Sequence, residues 1–105
     1  MMEYKSLCPK FEKAFQILGK RWMGVILYVL ESGPMRFNTI ANQIPEISKK
    51  MLTERLKELE ENGLVERKVY PETPVRIEYS LTEKGIAITP ALSEIQYWAD
   101  QWIEK

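Results

Sequence analysis

The chain has 105 residues, of which 45% are hydrophobic and 29% charged, and its 15 basic and 15 acidic residues give a formal net charge of +0. This composition predicts one globular domain, residues 1–105, large enough to bury a core without disulfides or metals. One cysteine and no histidine exclude a disulfide framework within the chain, the usual zinc and copper sites and most histidine-dependent catalysis. We therefore expect no metal, no cofactor and no enzyme.

Membrane segments are not expected either. The start "MMEYKSLCPK" lacks the apolar centre of a signal peptide, and the longest apolar run, "VILYVL", is too short to cross a bilayer. These two features predict a cytoplasmic protein without membrane contact.

Two helices are predicted in the first third of the chain. Apolar side chains recur at helical spacing from Phe11 to Leu18 and again from Met23 to Leu30. Gly19 and Gly33 follow these two runs and are typical of residues that end helices.

A second pair of helices is predicted next. Asn38 can cap a short helix that runs to Ile44, where Pro45 interrupts the pattern. Ser48 can cap a longer helix that continues to about Asn62. A helix, a tight turn and a further helix form a helix-turn-helix.

The period then changes from helical to alternating. Apolar residues alternate with polar ones from Val65 to Tyr70 and from Val75 to Leu81, on either side of the turn "PETP". Thr82 can cap a last helix that reaches Ile103, and Pro90 either kinks this helix or restarts it. The predicted fold class is therefore α+β, mainly α with a small β-hairpin, arranged as a winged helix-turn-helix.

The helix that begins after Ser48 has its charges in an unfavourable order, with basic residues first and acidic residues last. Each exposed charge at the wrong end of a helix dipole costs about 0.3–1 kcal/mol. A phosphate-lined groove reverses this cost, because helices that read DNA enter the major groove with their N-terminal residues. The candidate groove contacts are Ser48, Lys49, Lys50, Thr53 and Lys57.

A solvated surface is the alternative interpretation of this helix. There, Lys50 pairs with Glu54 and Lys57 with Glu61 at (i, i+4) spacing, which contributes about 0.2–0.5 kcal/mol for each pair. Periodicity places Leu52 and its neighbouring leucines on the opposite, core-facing stripe in either case.

Four further basic residues are candidate DNA contacts. Arg55 lies on the flank of the helix and reaches either phosphate or the scaffold, and Arg36 serves either a phosphate or a structural role. Arg76 alternates with the apolar residues of its strand and so points outward, with Lys68 near it on the paired strand. A merely solvated side chain is the alternative for Arg76.

Five motifs follow one another between Cys8 and Gly85: Cys8 and Pro9, "LGKRW" (18–22), Arg36 and Phe37, "ISKKMLTERLKELEENGLV" (47–65), and the wing from Tyr70 to Gly85. In this order they resemble the HxlR family of bacterial transcriptional regulators. Lys20 departs from the paired glycines common in the family, and "PVR" lacks a second proline that often precedes its arginine. The resemblance implies a homodimer that binds double-stranded operator DNA.

The last helix carries an apolar stripe that independently favours a dimer. This stripe spans an arc of about 140° and consists of Ile88, Ala91, Leu92, Ile95, Trp98, Ala99, Trp102 and Ile103. Each tryptophan has roughly 150–250 Å² to cover. The stripe packs either into the core of one subunit, which is the simpler interpretation for Leu92 and Ile95, or against a partner. N- and C-terminal helices are thus candidate dimerisation helices, with interface residues Phe11, Phe15, Leu92, Ile95, Trp98 and Trp102.

Cys8 is the candidate residue at which a chemical signal acts on the protein. Pro9 suits the first helical position, which places the Cys8 sulfur near the positive end of the helix, and Lys5 and Lys10 add positive charge. Such surroundings favour a thiolate that reacts with electrophiles, oxidants or a small thiol, and the family resemblance implies a sensing cysteine at this position. The alternative is a small buried hydrophobe.

Two other functions remain open at this point. A winged helix also serves as a protein-interaction module, and a regulator of this family can respond to an input unrelated to redox chemistry.

Overall fold

The computed structural model describes residues 8–104. In this part of the chain, five helices and one two-stranded antiparallel sheet are present. The elements are α1 (Pro9–Leu18), α2 (Met23–Leu30), α3 (Phe37–Gln43), α4 (Lys49–Glu61), β1 (Val65–Tyr70), β2 (Arg76–Leu81) and α5 (Glu83–Trp102). The predicted winged helix-turn-helix, mainly helical with one β-hairpin, is confirmed.

The core forms where α2, α3 and α4 meet. Each helix buries one apolar stripe, and the most deeply buried side chains are Met23, Ile26, Leu27, Leu30, Ile40, Leu52, Leu56 and Leu59. Full burial of one such side chain stabilises the fold by about 1.5–3 kcal/mol. The three leucines of α4 therefore fix which face of that helix is turned outward.

The start of α3 differs from the prediction. The helix begins at Phe37, with Arg36 rather than Asn38 in the capping position, and the Arg36 side chain makes no capping hydrogen bond. Backbone hydrogen bonds of 2.9 and 2.8 Å join Met35 to Tyr79 of β2, so the chain is held extended just before Phe37. This pairing across the molecule sets the helix start, and the local capping preference of Asn38 does not.

The N-terminus of α4 agrees with the prediction. Ser48 occupies the capping position, and its Oγ accepts a hydrogen bond of 3.0 Å from the amide of Met51. The helix ends at Glu61, and Gly63 follows with a φ of 75°, a left-handed conformation that glycine adopts without steric cost.

The wing is a regular hairpin whose strands pair from Val65 with Leu81 to Tyr70 with Arg76. Strand β2 begins at Arg76 rather than at Val75. Only Val65 in β1 is buried, and Val69 is half exposed, because no second layer covers the outer end of the hairpin.

Helix α5 is anchored at its start and extends beyond the core. The Thr82 hydroxyl accepts from the Gly85 amide at 3.1 Å and donates to the Gly63 carbonyl at 2.6 Å, which confirms the predicted cap. A Cβ on Gly85 would lie 2.2 Å from the Leu64 carbonyl oxygen, so this close packing requires glycine. Pro90 lies inside the helix and does not restart it. None of the helices between residues 8 and 104 is long and apolar enough to span a membrane.

Candidate DNA interface and thiol site

The outward face of α4 carries the predicted groove residues together. Lys49, Lys50, Thr53 and Lys57 are all exposed, and Ser48 is exposed at the helix start. The buried leucines lie on the other side of the helix, so packing of the core keeps this face exposed to solvent. A basic, exposed leading end is the arrangement that a DNA-reading helix requires.

The two hydroxyl groups on this face can make different hydrogen bonds to DNA. The Ser48 Oγ accepts from the Met51 amide, which leaves its own hydrogen for a phosphate oxygen. The Thr53 hydroxyl donates to the Lys49 carbonyl at 2.9 Å, so it presents its lone pairs and its methyl group outward. Those groups suit base amino groups and the methyl of thymine.

The ion pairs of the solvated alternative are not formed. Among residues 8–104, the salt bridges include neither Lys50 with Glu54 nor Lys57 with Glu61. The lysine ammonium groups on this face are thus not held by carboxylates of the described chain, although Glu54 shares the exposed face with them.

Arg55 is the clear exception among the basic residues of α4. Its side chain is only 17% exposed, its Nε donates to the Arg21 carbonyl at 2.9 Å, and its guanidinium binds Glu58 at 2.6 Å. Of the two roles predicted for Arg55, the structure therefore supports the tether to the scaffold. We remove Arg55 from the candidate DNA contacts.

Glu58 joins two parts of the chain that are distant in sequence. It accepts from Arg55 on its own helix and from Lys20 in the turn after α1. The hydrogen bond from Lys20, followed by that from Arg55, holds the pKa of Glu58 below its ordinary 4.5 although partial burial opposes this shift. Lys20, at which the sequence departs from the family pattern, thus fastens α4 to the α1–α2 turn. No local sequence pattern predicts this pair. Because α4 is the helix predicted to read DNA, it is called the reading helix below.

Arg76 lies on the outer part of the wing but is held by acidic neighbours. Its guanidinium binds Glu72 at 2.9 Å and Glu78 at 2.6 Å, and it stacks over the ring of Tyr70 at 3.8 Å. These hydrogen bonds raise the pKa of Arg76 above its ordinary value and lower that of Glu72. The expectation that Arg76 is simply outward and available is corrected, because the side chain is three-quarters buried within this clamp.

Two further basic residues flank the clamp. Lys68 is exposed and lies opposite Glu78 in the strand register, on the same face as Arg76. Arg36 is exposed before α3, and its charge helps to lower the pKa of Glu72. Lys68 therefore lies on the wing and Arg36 lies near it, as a surface that follows a DNA backbone requires.

Cys8 occupies the capping position of α1. It is exposed, Pro9 follows at the first helical position as predicted, and the Cys8 side chain makes no capping hydrogen bond. Exposure argues against the buried-hydrophobe alternative. Lys10 lies in the first turn, whereas Lys5 lies outside the described residues.

The proposed dimer surface divides into exposed residues and one buried residue. Leu92 is 8% exposed and belongs to the core of this chain, so its assignment to an interface is corrected. Ile95, for which the core was the simpler interpretation, is instead exposed. The aromatic residues Phe11, Phe15, Trp98 and Trp102 are all more than half exposed. Phe11 and Phe15 pack on each other, with ring centroids 5.0 Å apart.

Comparison with known proteins identifies the family. The sequence profile of the HxlR-like helix-turn-helix family matches residues 17–105. The HTH-type transcriptional regulator YodB of Bacillus subtilis (strain 168) is 59% identical over 99 residues, covering 94% of this chain and 88% of YodB. The uncharacterised HTH-type transcriptional regulator YvaP of the same organism is 53% identical over 103 residues, covering 98% of this chain and 95% of YvaP.

Solved structures of YodB from B. subtilis share the fold. The reduced form superposes with a TM-score of 0.84 at 58% identity, covering 94% of this chain and 97% of that one. The diamide-treated form gives 0.79 at 57% identity, with 96% and 100% covered. The quinone-bound form gives 0.79 at 54% identity, with 91% and 100% covered. The chain therefore belongs to the HxlR family of DNA-binding, winged helix-turn-helix transcriptional regulators.

Proposed function

We propose that this regulator binds operator DNA as a homodimer in the cytoplasm and that modification of Cys8 by an electrophile or oxidant changes its affinity for DNA. One observation carries the DNA part of the proposal. The leading half of α4 presents exposed lysines that no carboxylate of residues 8–104 holds, on a helix whose other face is fixed in the core.

The DNA contacts divide into reading and anchoring groups. Lys49, Lys50, Thr53 and Lys57 of α4 face the major groove, where side chains distinguish base pairs by hydrogen bonds and methyl contacts. Ser48 donates to phosphate at the start of the helix. Arg36 and Lys68 serve the sugar–phosphate backbone at the wing, where contacts position the protein without reading sequence. Arg76 joins them when its guanidinium leaves Glu72 and Glu78 for a phosphate.

Exposed aromatic surface supports the homodimer. Trp98 and Trp102 are 55% and 74% exposed on one face of α5, and Phe11 and Phe15 are comparably exposed on α1. Contiguous apolar surface of this kind marks interaction sites. A two-fold dimer also matches the two half-sites, one helical turn apart, that helix-turn-helix dimers bind.

The sensing part rests on Cys8 and on the likeness to YodB, for which quinone-bound and diamide-treated structures are known. With a quinone, the Cys8 thiolate forms a carbon–sulfur bond to the ring, and the ring takes up a proton to become a hydroquinone. With diamide, two thiols join as a disulfide while the N=N bond gains two hydrogens. Because the sequence holds one cysteine, the second thiol comes from Cys8 of the partner subunit or from a small thiol.

The experiment is a titration of the promoter DNA that flanks the gene, with random DNA as competitor, at several salt concentrations. The slope of log affinity against log salt should be near −0.9 for each phosphate contacted. Equal affinity for both DNAs at about 0.15 M salt would remove the operator proposal and favour a protein-interaction module.

The input is tested on the same DNA with Cys8→Ser as the matched variant. Diamide or a quinone should change the operator affinity of the wild type and leave that of Cys8→Ser unchanged. An equal response of both proteins, or no response of either, would assign the input to another site and leave a regulator that does not use redox chemistry.

A further inference from the structure

An apolar groove with a volume of about 710 Å³ lies between α1 and the start of α5. Its apolar lining includes Ala14 and Ile17 from α1, Leu64 from the α4–β1 turn and Ile88 from α5. Pockets that bind small molecules commonly have a volume of about 300–1,000 Å³ and an apolar lining with a few placed polar groups. The groove has both properties.

The polar groups of this groove all have one charge. Lys10, Lys13 and Lys84 line it, and no aspartate or glutamate does so within the described part of the chain. The salt bridges among residues 8–104 involve none of these three lysines. Three ammonium groups beside an apolar lining are complementary to an anion with an apolar body, and they disfavour a neutral or cationic ligand.

We propose that this groove binds a small carboxylate with an apolar body of about the size of a medium-chain fatty acid. The carboxylate accepts hydrogen bonds from lysine ammonium groups, and the apolar body covers Ile17 and Ile88. A second copy of the chain is a less suitable occupant, because the exposed apolar residues of its α5, Ile95, Trp98 and Trp102, carry no carboxylate for the three lysines.

Lys84 connects the groove to the reading helix. Its ammonium donates to the carbonyl of Asn62, the residue that caps the C-terminus of α4, at 2.7 Å. A carboxylate in the groove competes with this carbonyl for the same ammonium, so ligand binding weakens a contact that satisfies the C-terminus of α4. A change in DNA affinity through this contact would rest on the proposed function, whereas binding in the groove does not.

The test is isothermal titration calorimetry of the full chain with decanoate below its micelle-forming concentration. Acetate has the charge without the apolar body, and decyltrimethylammonium has the apolar body with the opposite charge. Of these three compounds, we expect saturable binding only for decanoate. Failure of decanoate to bind, or equal binding of the cation, would overturn the proposal.

Variants locate the site. Lys13→Gln combined with Lys84→Gln should weaken decanoate binding at least about tenfold, since hydrogen bonds to charged groups are lost. Arg67→Gln, a charge change on the exposed face of β1 outside the groove, should leave it unchanged. Lys10→Gln with Lys13→Gln keeps the Lys84 contact and should also weaken binding, which covers the case in which loss of Lys84 unfolds the protein. Unchanged binding in both lysine pairs would overturn the assignment.

Two readouts separate this proposal from the proposed function. Sedimentation with saturating decanoate should leave the oligomeric state unchanged, and conversion of dimer to monomer would show that a second copy occupies the groove. Decanoate binding is measured without DNA, so a protein that binds decanoate but no operator would retain the groove proposal and lose only the proposed function.

Discussion

Removal of Trp98 tests whether the exposed stripe of α5 is a dimer interface. Trp98 is 55% exposed in the isolated chain, so a partner has roughly 80–140 Å² of its surface left to cover. At about 25 cal/mol per Å², burial of this area contributes about 2–3.5 kcal/mol for each copy of the side chain. A two-fold interface contains two copies, so Trp98→Ala weakens the dimer by up to about 4–7 kcal/mol.

A matched control is available on the same helix. Tyr97 is 64% exposed, and at about 100° per residue it lies on the side of α5 opposite to Ile88 and the apolar stripe. Tyr97→Ala should therefore leave the dimer intact, although it removes an aromatic ring with similar exposure. Because Trp98 contributes little to the core of its own chain, Trp98→Ala should keep the helical circular dichroism of the wild type.

The assay is sedimentation velocity over a dilution series. We expect the wild type and Tyr97→Ala to remain dimeric at concentrations at which Trp98→Ala is monomeric. A dimer of unchanged affinity in Trp98→Ala, or equal weakening by both substitutions, would refute the assignment of this face.

Three further predictions concern DNA binding and the reading helix. Lys50→Ala should lower the preference for operator over random DNA by about 1–3 kcal/mol if it removes a good base contact, whereas Arg76→Ala should weaken both DNAs evenly; competition binding distinguishes the two. Glu72→Gln combined with Glu78→Gln releases the clamped guanidinium and should tighten binding to all sequences in fluorescence anisotropy, and weaker binding would mean that the clamp holds Arg76 in its binding position. Glu58→Gln should lower the free energy of unfolding at about pH 7 by roughly 0.5–1 kcal/mol, the upper range for a largely solvated ion pair. Since the pKa of Glu58 is lowered from 4.5, this contribution is fully present above pH 4.5 and is lost as the pH falls through the lowered pKa, so the difference in urea unfolding between the variant and the wild type should shrink as the pH falls below 4.5.

The amino-acid sequence by itself determined the elements and the outward face of the reading helix. Periodicity placed the leucines of α4 on one stripe, and Ser48 and Thr82 marked helix starts that the structure has. These features are local, because a cap or a stripe depends on residues within one or two turns. The exposure of Trp98 and Trp102 agrees with the partner-surface interpretation of the α5 stripe, which the sequence left open beside a position in the core.

Only the tertiary structure decided which side chains make contacts between residues that are distant in sequence. Arg55 bonds to a carbonyl 34 residues away, and Lys20 meets Glu58 across 38 residues, so neither contact has a local signature. Tertiary packing also placed Leu92 in the core and let the bridge between Met35 and Tyr79 set the start of α3. The free energy of a charged or apolar side chain depends on which distant groups surround it, and the chain brings those groups together only when it folds.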